Sequence, residues 1–476
     1  MGTCFPNALL GEEGYLVSHQ NCIRKLSLIT EGGCISEAPP LKEFANLREL
    51  SWKGFLSDDD CAALKTFLDL HHERLASLEV DFIDWAEVEC RFDLPDDDED
   101  EDDSTPLADL ILPKRKDDYE GFLPNLQVLS LSAASFKGSW DRLIDAYNLQ
   151  NVKELRLLNC KRAVELLDYI ARTNDYLYAT KAELVLRQAE MVKMEFDFVD
   201  FLAPFDGLKD LFLMFQSNYA DKYYAEMILH HRDTLRRLVF HRRHYCMAEK
   251  APYWEEYCDS PLEEAQGGGF AEILRETKLE SAGVCGEPSK LQKSFQSIAS
   301  RVDSMKLLHL RFTGKAERKP KFCKEGEAYG DLPSSEFSRA CLEAQRNGTT
   351  PPPRSPGPSE AEFRIRWERI QGENWREDEE KELEAFANWA FGPDGFPRLQ
   401  VLASGDFSYG NRFADTHTLW CRKTRGPRSK KTWRTVEQSD VAENELIDAN
   451  MDMLSACPVS PLFYRYGRGD VFPGIS

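Results

Sequence analysis

The 476-residue chain is 42% hydrophobic, which excludes wholesale disorder and leaves room for several domains or one extended array. Its 60 basic and 82 acidic residues give a net charge of −22, so the chain as a whole has no attraction for phosphate backbones or anionic lipid. No uninterrupted apolar run reaches the ~20 residues that span a bilayer, which sets a membrane aside.

The opening MGTCFPNALLGEEGYLV has no basic segment followed by an apolar core of signal-peptide length, and Pro6 stands where a myristoylation signal wants Ser or Thr. Thirteen scattered cysteines without a repeated spacing read as reduced thiols rather than a disulfide framework. Cytosol or nucleus is the expected compartment.

From Ile23 onward one offset recurs: an apolar residue, another three positions on, a third two beyond that. It is met at Ile23–Leu26–Leu28, Leu47–Leu50–Trp52, Leu75–Leu78–Val80, Leu126–Leu129–Leu131 and Val152–Leu155–Leu157. A weaker copy ends on Leu184 and Leu186, and Leu208–Leu211–Leu213 and Leu235–Leu238–Phe240 follow. Met305–Leu308–Leu310 and the degenerate Leu399–Leu402–Ser404 come after a gap. First positions 126 and 152, and 208 and 235, stand 26 and 27 residues apart, within the roughly 20–29 of leucine-rich repeats. The last two residues of each unit alternate as in a strand and point into a core; such a short strand needs stacked neighbours for hydrogen bonds and burial.

Helices are predicted after these strands. LSDDDCAALKTFLDLHHERL follows Trp52, with Ser57 as N-cap; KRAVELLDYIARTNDYL follows Leu157, and ADKYYAEMILHHRDTL follows Leu213. The expected fold is therefore α/β: a curved leucine-rich-repeat solenoid with parallel short strands on the concave face, helices on the convex face, and long insertions.

Four regions follow: repeats over 1–240, an insertion or irregular repeat over 241–300, a repeat-like region over 301–420, and a basic segment and tail over 421–476. The acidic PDDDEDEDD lies within 93–106 and lacks the turn glycine and ligand spacing of a calcium loop, so it reads as a mobile, solvated loop. His241, His244, Cys246 and Cys258 follow no strong zinc spacing, and QGGGF is no phosphate loop. NGTTPPPRSPGPSE, around 346–360, reads as a flexible linker with Thr350 and Ser355 before prolines, and the segment after it is substantially helical up to Gly392–Pro393. CRKTRGPRSKKTWR (421–434) is read as an exposed basic loop, and no nucleic-acid module accompanies it.

LKEFANLRELSWKGF, FLPNLQVLSLSAASF, FDGLKDLFLMF and GFPRLQVLASGDFSYGNRF resemble the leucine-rich-repeat regions of fungal F-box-type proteins. The resemblance implies an F-box helical module that docks to a ubiquitin-ligase adaptor, with repeats that select a substrate. The residues before Ile23 do not carry the successive apolar helices of an F-box.

No nucleophile elbow, dinucleotide fingerprint, phosphate loop or zinc-protease motif is present, so the sequence offers no candidate catalytic, cofactor-binding or metal-ligating residue. The first functional reading is a non-enzymatic protein-interaction scaffold using the concave surface. The alternatives are a substrate-recognition subunit of a ubiquitin ligase and, behind it, an enzyme of unknown class.

The expected contact residues are those between and beyond the inward pairs: Arg156, Val185, Phe212 and Val239 in one row, Leu158, Arg187, Met214 and His241 in the next, continuing to His309 and Arg311. They form an apolar strip with a basic or titratable rim, suited to a protein segment that is both acidic and apolar. The competing expectation is that another part of the chain folds over the strip.

Overall fold

The computed structural model describes residues 10, 13–19, 22–30, 39–55, 58–82, 107, 111–112, 121–136, 140–173, 176–186, 201–215, 224–242, 269–311, 375–405, 407, 417–423 and 432–457. Thirteen strands of these residues form one sheet in sequence order. They are β1 (Lys25–Ile29), β2 (Glu49–Phe55), β3 (Ser77–Phe82), β4 (Val128–Ser132), β5 (Glu154–Leu158), β6 (Lys181–Leu186), β7 (Asp210–Phe215), β8 (Arg237–Arg242), β9 (Ser281–Val284), β10 (Leu307–Leu310), β11 (Val401–Ser404), β12 (Thr418–Arg422) and β13 (Trp433–Thr435). β1 to β11 pair in parallel, whereas β11–β12 and β12–β13 are antiparallel.

The register explains the recurring leucines. Leu26, Leu50, Leu78, Leu129 and Leu155 lie side by side across β1–β5, and Leu28, Trp52, Val80, Leu131 and Leu157 form the next row. All but the half-buried Leu26 are buried, on what we call the first face of the sheet. Helices cover that face: α2 (Asp58–His71) with Leu64, Phe67 and Leu68, α4 (Ala163–Arg172) with Leu167 and Ile170, and α5 (Tyr224–His230) with Met227 and Ile228. α1 (Tyr15–His19) and α3 (Trp140–Tyr147) precede β1 and β5, α6 (Gly269–Glu276) and α7 (Pro288–Phe295) flank β9, and α8 (Trp375–Ala390) precedes β11.

One expectation changes here and another is filled in. In β6, Ala182 and Leu184 stand beside Leu211 and Leu213, so this unit's inward pair lies two residues before the Leu184–Leu186 that the spacing predicts. Residues 281–284, within the stretch expected to be an insertion or irregular repeat, supply β9, which joins β8 to β10 through Ala282 and Val284. Both were obscured because alanine occupies the row that leucine marks elsewhere.

The predicted helices after Trp52, Leu157 and Leu213 are present, and the one expected before Gly392 ends at Ala390. Ser57, the acidic and proline-rich insertions, Thr350 and Ser355 lie outside the described residues. Cys22, Cys61, Cys160, Cys421 and Cys457 are free thiols, whereas Cys285, which the sequence reading grouped with the reduced thiols, is disulfide-bonded. Among the described residues no helix is long and apolar enough to cross a membrane.

Candidate functional site

The alternate residues of each strand line the second face. Its central row runs Ser27, Ser51, Glu79, Ser130, Arg156, Glu183, Phe212, Val239, Gly283, His309, Ala403 and Leu419. Glu183, not Val185, is the neighbour of Arg156 and Phe212; Val185 stands one row on, between Leu158 and Met214. The expected continuous row of Val185, Phe212 and Val239 is thus corrected by the same two-residue slip in β6.

The two halves of this face differ. Over β6 to β11 it is covered by α9 (Val441–Ala449) and α10 (Met451–Ser455) with the residues that follow. Ile447, Met453, Leu454, Ala456 and Cys457 pack with Val185, Phe212, Met214, Val239, Leu307 and Val401 in a second apolar cluster. Val185, Phe212, Met214, Val239 and His241 are therefore buried, as are His309 and Arg311, while Leu158 is half-buried at the edge. Arg187 lies outside the described residues. An open contact surface at those buried positions gives way to the competing expectation, because apolar area on this scale is more stable covered than wet.

Polar groups hold the covering segment in place. Asp452 Oδ1 and Oδ2 accept from Arg237 Nη1 and Nη2 at 2.6 and 3.0 Å, and Lys181 Nζ reaches Oδ2 at 2.8 Å. Burial raises the Asp452 carboxyl, but these hydrogen bonds overcome it and hold the group below its usual range. Arg237 also grips Asp210 at 2.7 Å through both Nε and Nη2. The cations of Lys181 and Arg237 lie 5.7 and 5.8 Å from the centre of the Phe212 ring, within cation–π range.

At the far end the Arg311 guanidinium donates to the carbonyls of Leu454, Ala456 and Cys457 at 3.3, 2.6 and 2.8 Å, and its Nε donates to His241 Nδ1 at 3.0 Å. His309 hydrogen-bonds the Gly405 carbonyl through Nε2 at 2.7 Å and meets the Phe407 ring edge-on. Burial, with Arg311 nearby, holds its imidazole well below the usual histidine range, so the ring is neutral.

Over β1 to β5 the second face carries a grid of hydrogen bonds and ion pairs. Lys25 pairs with Glu49 at 2.9 Å and Lys53 with Glu79 at 3.2 Å, and Ser51 Oγ donates to Glu79 at 2.6 Å. Arg156 Nε donates to Glu154 at 2.6 Å and lies 3.8 Å from Glu183. Burial pushes the Asp81 carboxyl up to about 6, against the pull of its Ser132 hydrogen bond and of Lys53. Arg156 is thus committed to the chain's own carboxylates rather than left for an acidic partner. The side chains of Lys25, Glu49, Lys53 and Arg156 nonetheless remain between about 31% and 75% exposed.

Among the described residues no three His, Cys, Asp or Glu side chains gather as a metal site. His241 packs against Arg311, and its sequence companions His244, Cys246 and Cys258 lie outside the described residues. Sequence reasoning missed Glu183, Lys181, Arg237 and Asp452. The signal for the first three was the strand period once the β6 register is right; for Asp452 it was the apolar spacing of Ile447, Met451 and Leu454. Neither a family model nor a curated protein matches this chain.

Proposed function

We propose that the chain is a non-enzymatic protein-recognition scaffold: a leucine-rich-repeat solenoid whose concave side is the second face, with β1 to β5 as its recognition surface. The observation that supports this most directly is the in-register grid of Ser27, Ser51, Lys53, Glu79, Asp81 and Arg156. Parallel strands ~4.8 Å apart hold these groups at fixed intervals, with Ser51, Lys53, Glu79, Asp81 and Arg156 already bonded to neighbouring strands, so a partner meets a preorganised surface. The grid alternates in sign, which suits a protein partner of mixed charge better than a polyanion.

A photo-crosslinking residue placed at Ser51 should capture a partner from the native cell. The same residue at Thr66, exposed on the helix side, should not. Capture should fall when Lys53 and Arg156 are both changed to Glu while circular dichroism is unchanged. Equal capture from both positions, or capture indifferent to the charge reversal, would overturn this reading.

A further inference from the structure

The segment covering β6 to β11 has the character that the sequence assigned to a partner. Asp452 supplies a carboxylate to two cations, and Met453 and Leu454 fill the apolar strip behind it. We propose that this part of the second face is an exchangeable docking groove for a short helix with a carboxylate followed by two apolar residues. Residues 441–457 are its resident, self-inhibiting occupant. This goes beyond the recognition surface on β1 to β5 and does not rest on it.

Three observations carry the inference. First, the apolar cluster under the segment shares no residue with the first-face core. Lifting residues 441–457 leaves the parallel ladder and the helix-covered core intact, which is what a locally opening unit requires.

Second, the floor and rim of the groove carry polar and charged groups. Glu183, His241, His309 and Arg311 are buried there, and Lys181 and Arg237 border it. Glu183 and Arg311, which bond the backbone of the segment, regain water when it leaves, which offsets part of what is lost by exposing Phe212, Met214 and Val239. Closure is therefore held by a smaller margin than an all-apolar contact of equal area would give.

Third, the groove reads features any helix of this class can present. Lys181 and Arg237 read one carboxylate, with Arg237 gripping both of its oxygens. Phe212, Met214 and Val239 receive apolar side chains. Arg311 collects backbone carbonyls just where the helix ends, so it recognises a helix C-terminus rather than a particular side chain. Helix-in-groove recognition uses the same combination of apolar anchors and a few polar fixings.

The test uses the full chain and a labelled peptide of residues 441–457. Native-state hydrogen exchange on the unaltered protein should show amides 446–457 opening about tenfold or more faster than those of Leu211–Phe215. The labelled peptide should bind the Asp452→Lys chain about tenfold or more tighter than the unaltered chain, whose own segment competes. A peptide carrying the same Asp452→Lys change should not bind. Exchange of 446–457 only together with Leu211–Phe215 would overturn the proposal, because the segment would then be ordinary core. So would a folded Asp452→Lys chain that takes up no peptide. If the variant fails to fold, the exchange measurement on the unaltered protein decides alone. Crosslinking from Ser51 reads the separate surface on β1 to β5, so either idea can fail without the other.

Discussion

The backbone N–H of Cys457 donates to Glu183 Oε1 at 2.8 Å across 274 residues of sequence. Glu183 is only 6% exposed and also lies 3.8 Å from Arg156 Nε. Burial raises its carboxyl, while Arg156, the Cys457 N–H and Lys181 pull the other way. One side chain thus ties the open half of the second face to the segment that covers the rest.

Removing it should be felt at both ends. Glu183→Ala leaves the buried Cys457 N–H without its acceptor and frees one side of Arg156, and should destabilise by about 1–3 kcal/mol in urea denaturation. Glu183→Gln keeps an acceptor oxygen and should recover much of that loss. An alanine variant within about 0.5 kcal/mol of the original would show that the contact contributes nothing net.

The first-face core permits a paired prediction of opposite sign. Leu155 and Tyr147 both line a small apolar cavity with Leu129, Leu143 and Ile170. Leu155→Ala enlarges it and should cost about 2–5 kcal/mol through lost burial and cavity formation. The Tyr147 hydroxyl is buried in the same place with no hydrogen-bond partner among the described residues. Tyr147→Phe removes that unsatisfied group and should be neutral or raise stability by about 1 kcal/mol. A loss above about 1 kcal/mol for Tyr147→Phe would mean that the hydroxyl is satisfied in solution.

How far the fold could be read depended on residue size. Leu129, Leu155, Leu211 and Leu238 announce their rows because leucine stands out against the polar residues around it. Ala182 and Ala282 hold the same row without that contrast, so β6 was mis-set by two residues and β9 was hidden. The slip in β6 placed Val185 where Glu183 belongs. Strand alternation fixes that Phe212 and Val239 share a face with Met214, so the apolar centre of the strip was legible, whereas the cations beside it, Lys181 and Arg237, were not. Its cover was not, since contacts such as Arg311 to Ala456 span 145 residues and leave no mark in local periodicity.

Asp81 gives a pH signature. Its folded carboxyl titrates at about 6, above the ordinary aspartate value of 3.8. Between those values the folded state binds the proton more tightly than the unfolded chain does, so stability falls as pH rises from about 4 to 6. Above about 6 the whole of this group's contribution has been lost. Asp81→Asn should therefore flatten the slope of thermal midpoint against pH in that window and raise the midpoint at pH 7. An identical slope in the variant would show that Asp81 titrates as an ordinary carboxylate.

Gly54 is the position where backbone geometry, rather than packing, should decide the outcome. It has φ +84°, and the pairing of β2 with β3 shifts register there, between Lys53 and Phe55. A Cβ at this position would lie 1.6 Å from the carbonyl oxygen of Thr30. Thr30 cannot step aside freely. Its N–H donates to the Lys53 carbonyl at 2.8 Å, its Oγ1 donates to the Gly54 carbonyl at 2.9 Å, and the Trp52 indole donates to that Oγ1 at 3.0 Å. Gly121 supplies the control, with φ +66° and, among the described residues, no atom within 4 Å of an added Cβ. Gly121→Ala should cost only the left-handed backbone strain, about 1–2 kcal/mol. Gly54→Ala should cost that strain and, in addition, the separation of β2 from the chain end of β1. Urea denaturation of the two variants isolates the steric part, and equal losses would show that the Thr30 contact relaxes without consequence.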